Sequence, residues 1–197
     1  MIAIEGIIGA GKTYLVRRMQ ELYPDYYVFF MEPVEENPYL IKFCKDPSKW
    51  ALEMQFWCMC HRYQQHLDAV EMEWKSNGTK CAIFDRSIYG DAAFAYLLHD
   101  AGLISESGYI VYLKMREMMT RTLLTPQLVV YLDVDIDIAM KRIEMRGRKY
   151  EESILPSYQE GLHKAYMTQV LPPLQKVTRV KVVNWNNTNA SIEDVLS

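Results

Sequence analysis

Short apolar runs alternate along this chain with longer stretches of helical periodicity. Ile2, Ala3 and Ile4 read as a buried strand. "YVFFME" (27–32), "CAIFD" (81–85), "LVVYLDV" (128–134) and "RVKVVNW" (179–185) read as four more. Each is short, rich in β-branched or aromatic residues, and followed by helix-like sequence. This alternation predicts an α/β fold, a five-stranded parallel sheet with helices on both faces. Ligands of such sheets lie beyond the carboxyl ends of the strands. That rule singles out residues 5–13, Glu32 and the pair Asp85-Arg86.

The helical stretches carry their own signals. Residues 12–22 read as a helix. A long helix is predicted over 47–76, with Asp46 as N-cap, Pro47 at its first position and Asn77-Gly78 as its stop. Its "WALEMQFWCMC" segment is apolar on nearly every side, so the helix is expected to be buried. A buried Gln55 then needs partners, from a core network or from a ligand. His61 and His66 fall in the same helix, and nothing marks them as metal ligands. A further helix over 105–124 carries Met115, Met118 and Met119, read as packing residues on a surface that could also serve a dimer. Pro172-Pro173 reads as a turn before the last strand.

Composition narrows the field. The 197 residues fit one domain with a substantial core, half of them hydrophobic. A net charge of −3 gives no reason to expect nucleic acid or an anionic membrane as partner. No stretch is apolar enough to span a bilayer, and no signal or transit pattern precedes the first strand, so a cytoplasmic location is expected. Cys44, Cys58, Cys60 and Cys81 form no C-x-x-C pair and are read as reduced, partly buried thiols.

The chain opens "MIAIEGIIGAGKT", in which residues 6–13 fit G-x-x-x-x-G-K-[ST] between a strand and a helix. Gly6, Gly9, Ala10 and Gly11 make a loop whose N–H groups point at phosphate, reinforced by the helix N-terminus. Lys12 can reach the terminal phosphates and the Thr13 hydroxyl can bind Mg²⁺. Glu32, stiffened by Pro33, faces the ligand crevice and could accept a proton from an attacking hydroxyl. In "FDRSIYGD" (84–91), Asp85 could hold Mg²⁺, and Arg86 suits a phosphoryl oxygen or a carboxylate. In "KRIEMRGRKYEE" (141–152), Arg142 and Arg146 share a helix face and Arg148 follows Gly147. This run suggests a mobile lid that closes over phosphates.

"IEGIIGAGKT", "MEPVEENPY", "KDPSKWALEMQFWCMCHRY", "DRSIYGD" and "RIEMRGRKYEE…Y" follow one another in the order seen in deoxynucleoside kinases, which the chain resembles over roughly residues 1–165. "NPYL" and "DRS" resemble the bacterial-type branch, and "RGR" followed by glutamates resembles the animal enzymes. The resemblance implies a P-loop nucleoside kinase fold with a lid, one such domain over 1–197, and commonly a homodimer. It implies transfer of the γ-phosphate of ATP, with Mg²⁺, to the 5′-hydroxyl of a deoxynucleoside in nucleotide salvage. Carried over by residue, Glu32 matches the general base, Arg86 the arginine holding it, and Gln55 the glutamine on the base edge. Arg62 and Asp91 match a pair that contacts cytosine or purine bases. Arg142, Arg146 and Arg148 match the lid arginines and Glu151 the glutamate on the sugar 3′-hydroxyl, with Glu152 the alternative. Tyr158, which closes the last motif, joins the substrate-binding set.

Three positions depart from the family pattern. Cys44 stands where animal members have a tyrosine for the 3′-hydroxyl, the region of Asn37 replaces a pocket tryptophan, and the base-stacking phenylalanine falls one place early, at Phe94. Two rival functions share some features. A thymidylate kinase has a phosphate loop, a D-R motif and an arginine lid, but resembles an R-E-P arrangement where this chain has Met31 before Glu32-Pro33. A nucleotide-binding regulator would be expected to lack the base or the metal acid, and Glu32, Asp85 and Arg86 are all here. The expected preference is deoxycytidine or purine deoxynucleosides over thymidine.

Overall fold

In the computed structural model, residues 1–32, 34, 36–187 and 192–196 are described. The five strands are β1 (Ile2–Glu5), β2 (Tyr27–Phe30), β3 (Cys81–Asp85), β4 (Leu128–Asp133) and β5 (Arg179–Asn184). They form one parallel sheet in the order β2-β3-β1-β4-β5. The central strands are flanked on both sides and covered on both faces, which is why they are apolar throughout. Ala3, Ile4, Ala82, Ile83 and residues 129–132 are sealed from solvent. The edge strand β5 mixes Val180 and Val183 with exposed Arg179 and Asn184.

The helices are α1 (Lys12–Leu22), α2 (Leu40–Lys45), α3 (Pro47–Lys75), α4 (Asp91–Asp100), α5 (Glu106–Thr120), α6 (Ile136–Arg146), α7 (Pro156–Ala165), α8 (Leu171–Gln175) and α9 (Ile192–Leu196). Asp46 caps α3 by accepting from the Lys49 N–H, and Gly78 closes it with its N–H on the Glu73 carbonyl at 2.9 Å. No described helix is long and apolar enough to cross a membrane.

Several expectations need correction. β2 stops at Phe30 rather than 32, because the Met31 carbonyl leaves the sheet to accept from Gln65 Nε2 at 2.8 Å. Pro33 lies outside the described residues. α3 is not buried all round: Ala51, Gln55, Met59, Arg62, His66 and Ala69 make one buried stripe, while Trp74 is 77% exposed. The helix is too long for the body to cover every face, and the stripe it does bury is partly polar because it borders a cleft. On α5 only Tyr112 is buried, and Met118 and Met115 face out with Ile110, Val111 and Leu113. Pro172 and Pro173 begin α8 instead of forming a turn; prolines in a first turn forfeit no helical hydrogen bond. All four cysteines are free, but Cys60 is exposed.

Candidate active site

The carboxyl ends of β1 and β3, the start of α1, the polar stripe of α3 and the segment after α6 enclose a cleft of about 1520 Å³. The glycine loop floors it. Gly9 and Gly11 sit at φ +79° and +94°, where side chains are disfavoured. A Cβ on Gly9 would lie 2.5 Å from the Ala139 carbonyl, and one on Gly11 would meet the buried Trp185 indole at 3.1 Å. Lys12 folds back to donate to the Ile7 carbonyl at 2.8 Å and the Gly6 carbonyl at 3.3 Å. Burial, then the Arg86 charge, lowers its amine to about 7, although Asp85, Glu32 and Glu5 pull the other way. The Thr13 hydroxyl donates to Asp85 Oδ2 at 2.5 Å, and Asp85 Oδ1 is buried with no partner among the described residues.

The acid wall lies opposite. Glu32 receives Arg62 NH2 at 2.9 Å and Arg86 Nε at 3.3 Å. Burial opposes its ionisation, but Arg86, Arg62 and Lys12 outweigh burial and hold the carboxyl at about 2. Arg62 also donates from Nε to Asp91 at 2.5 Å. Burial raises the Asp91 carboxyl despite that arginine. Asp91 is 2% exposed and stands behind Arg62 rather than on the cleft wall. Asp91 Oδ2 and Gln55 Oε1 are buried acceptors without partners among the described residues. Phe94 lines the cleft with the Arg86 guanidinium 4.7 Å over its ring.

The lid residues divide. Arg142 ties the loop to the sheet, donating to the carbonyls of Ala10, Trp185 and Asn186 at 3.0 to 3.1 Å. α6 ends at Gly147 in the left-handed region, φ +66°. The last residue of α6, Arg146, grips both oxygens of Glu151, at 2.6 and 3.0 Å, and Arg148 lies 3.6 Å away. Glu151 is buried on the cleft, whereas Glu152 is exposed. Tyr158 lines the same wall, and burial raises its hydroxyl pKa. Cys44 borders the cleft here, its thiol donating to the Tyr150 carbonyl at 3.3 Å. Asn37 turns away to Cys58 Sγ at 3.6 Å.

Two contributors, Gln159 and Tyr166, have no motif to mark them, and a third, Glu5, falls within the residues 5–13 that the strand-end rule singles out. Gln159, sealed from solvent on α7, clamps the phosphate loop, accepting from the Ile8 N–H at 3.3 Å and donating to its carbonyl at 2.6 Å. Tyr166, after α7, donates to Glu5 and accepts from Arg86. Glu5 is a fully buried acid, raised by desolvation although Ser87 and Arg86 counteract it. Its place at the end of an apolar strand is the signal that singles it out, the same that points to Asp85.

A family model described as deoxynucleoside kinase matches residues 2–197. A deoxyguanosine kinase of Dictyostelium discoideum is 37% identical over 187 residues, 95% of this chain and 64% of that protein. The chain thus spans slightly less than two thirds of that relative. A deoxyadenosine kinase of the same organism is 32% identical over 94% of this chain and 72% of its own length. The deoxyadenosine/deoxycytidine kinase of Bacillus subtilis is 29% identical over 100% and 89%. Among solved structures, deoxyadenosine kinase from M. mycoides with bound dCTP superposes with a TM-score of 0.80 at 28% identity, covering 99% of this chain and 94% of that one.

Proposed function

The chain belongs to the deoxynucleoside kinase family, and from that premise we propose that it transfers the γ-phosphate of ATP to the 5′-hydroxyl of a deoxynucleoside, in nucleotide salvage. The observation that carries this reading is Glu32, an ionised carboxylate clamped between Arg62 and Arg86 on the wall of a cleft floored by the glycine loop. The loop N–H groups and Lys12 receive the donor phosphates, with Arg142, Arg146 and Arg148 at the lid side. Glu32 receives the 5′-hydroxyl. A carboxyl held at about 2 is a weak base. It therefore takes the proton late, once the hydroxyl oxygen has begun to bond phosphorus and become acidic. Arg86, beside Glu32, offsets the charge spreading over the transferring group.

The donor set fits Mg²⁺. Thr13 and Asp85 supply hard oxygen ligands, and the unpartnered Asp85 Oδ1 is a buried acceptor awaiting a cation or its water. Bound there with the donor, Mg²⁺ would neutralise phosphate charge.

Gln55 and Phe94 form the base end, backed by the Arg62–Asp91 pair, with Glu151 and Tyr158 on the sugar side. Gln55 Oε1, a buried acceptor on the cleft with no partner among the described residues, supports a base that offers an amino group. Adenine and cytosine do so; thymine presents O4 in the corresponding place. The names of the relatives, deoxyguanosine and deoxyadenosine kinases, agree with a preference over thymidine. The apolar residues exposed along α5 support a homodimer, to be checked by light scattering.

An acceptor panel tests the function. The four deoxynucleosides and their monophosphates are offered with Mg·ATP, and kcat/KM is measured for each. Deoxyadenosine or deoxycytidine should lead. A protein that prefers thymidine refutes the base assignment, one that prefers thymidylate is a monophosphate kinase, and one that binds nucleotide without turnover is a regulator.

A further inference from the structure

Arg86 is the residue whose geometry is hardest to maintain. It follows β3 with φ +70°, one of only two non-glycine residues with positive φ among the described residues. Its guanidinium must nonetheless stay beside Glu32. The next residue, Ser87, donates from both its N–H and its hydroxyl to Glu5 Oε1, at 2.9 and 2.6 Å. Glu5 Oε2 in turn accepts from the Tyr166 hydroxyl at 2.9 Å. That hydroxyl accepts from Arg86 NH1 at 3.0 Å. The chain of contacts closes on itself, from the Arg86 backbone through Ser87, Glu5 and Tyr166 to the Arg86 side chain. All four residues are at least 97% buried.

We propose that Tyr166, braced by Glu5, is a positioning residue that sets the Arg86 guanidinium for phosphoryl transfer; this rests on the kinase function proposed above. Two further features fit the role. Tyr166 opens a π-helical turn, Tyr166–Val170, inserted after α7. Such turns are rare and concentrate at functional sites, because the extra residue redirects a side chain. Glu5 also has nowhere else to go: a Cβ on Gly90 would fall 2.1 Å from Glu5 Oε2, so the carboxylate fills the space that glycine leaves. With NH1 fixed by Tyr166 and by the Gly6 carbonyl at 2.8 Å, the guanidinium plane is set, and its Nε reaches Glu32.

The test is a double-mutant cycle. Tyr166→Phe removes only the hydroxyl and should lower kcat about tenfold to a hundredfold, the effect of losing one hydrogen bond to a charged group. KM for ATP should stay within about twofold, since no donor phosphate contact is touched. Placed on Arg86→Ala, the same change should cost nothing more, because a residue acting through Arg86 has nothing left to position. Glu5→Gln, which turns one acceptor into a donor, should reproduce the kcat loss. Parental kcat in Tyr166→Phe, or losses that add in full to those of Arg86→Ala, would overturn the proposal. So would a Glu5→Gln enzyme of full activity. A parent inactive on every deoxynucleoside would instead refute the function.

Discussion

Nucleotide binding to this protein should draw a proton from solvent. Burial, then the Arg86 charge, holds the Lys12 amine at about 7, against an ordinary 10.5. At about 1.4 kcal/mol per unit, the site withholds roughly 5 kcal/mol from the ammonium form. A bound polyphosphate reverses this, placing several negative charges beside the amine and raising its pKa again. At pH 8 free Lys12 carries about 0.1 proton and bound Lys12 about one, so about 0.9 proton is taken up; at pH 6 the uptake falls to about 0.1. Affinity should weaken by nearly tenfold per pH unit above about 7.5. The assay is calorimetry of ADP binding in two buffers of different ionisation enthalpy, at pH 6, 8 and 9, with Lys12→Met as control. Uptake that stays near zero at pH 8, or persists in Lys12→Met, would refute the assignment. The stability of the fold carries the same signature. Between about 7 and 10.5 the folded protein binds fewer protons at Lys12 than the unfolded chain does. By linkage, stability from this group therefore rises with pH across that window.

The other expectations are more direct. Glu32→Gln keeps shape and removes charge, so kcat should fall by about two to four orders of magnitude while nucleotide still raises Tm; near-parental turnover would remove Glu32 from the chemistry. Gln159→Ala leaves the Ile8 N–H and carbonyl without their side-chain partner and should raise KM for ATP with KM for the deoxynucleoside unchanged; a selective effect on the nucleoside would contradict the clamp. Arg62→Met with Asp91→Ala should shift kcat/KM towards thymidine relative to deoxyadenosine by about tenfold or more; an unchanged ratio would show that base choice lies elsewhere.

The sheet is legible because each strand is a short, largely apolar run, four of the five closed by a polar residue, and because the glycine loop fixes which end binds ligand. Strand ends were harder. The stop of β2 depends on Gln65, a residue 34 positions from the Met31 carbonyl it takes. The burial of α3 and α5 was overread for a related reason: a helical wheel shows which faces are apolar, not how much protein is available to cover them. In the site, Lys12, Thr13, Glu32, Asp85 and Arg86 could be found because each sits at a strand end or in a local motif. Gln159 and Tyr166 could not. They reach residues 151 and 161 positions away, and no local spacing encodes such contacts.

If the chain is the kinase proposed above, the Arg146–Glu151 pair has a consequence for how its two substrates would share one cleft. Each partner neutralises the other, and Glu151 is only 7% exposed. A donor whose phosphates draw Arg146 and Arg148 away leaves Glu151 a buried anion short of a counter-charge. A sugar hydroxyl that donates to that anion then gains more than it would in the empty protein. By reciprocity the nucleoside must favour the donor to the same degree. Donor and acceptor should therefore bind synergistically, and deoxynucleoside affinity should rise when ADP is present. Glu151→Gln, which carries no charge to be stranded, should erase that synergy and let each substrate bind as though the other were absent.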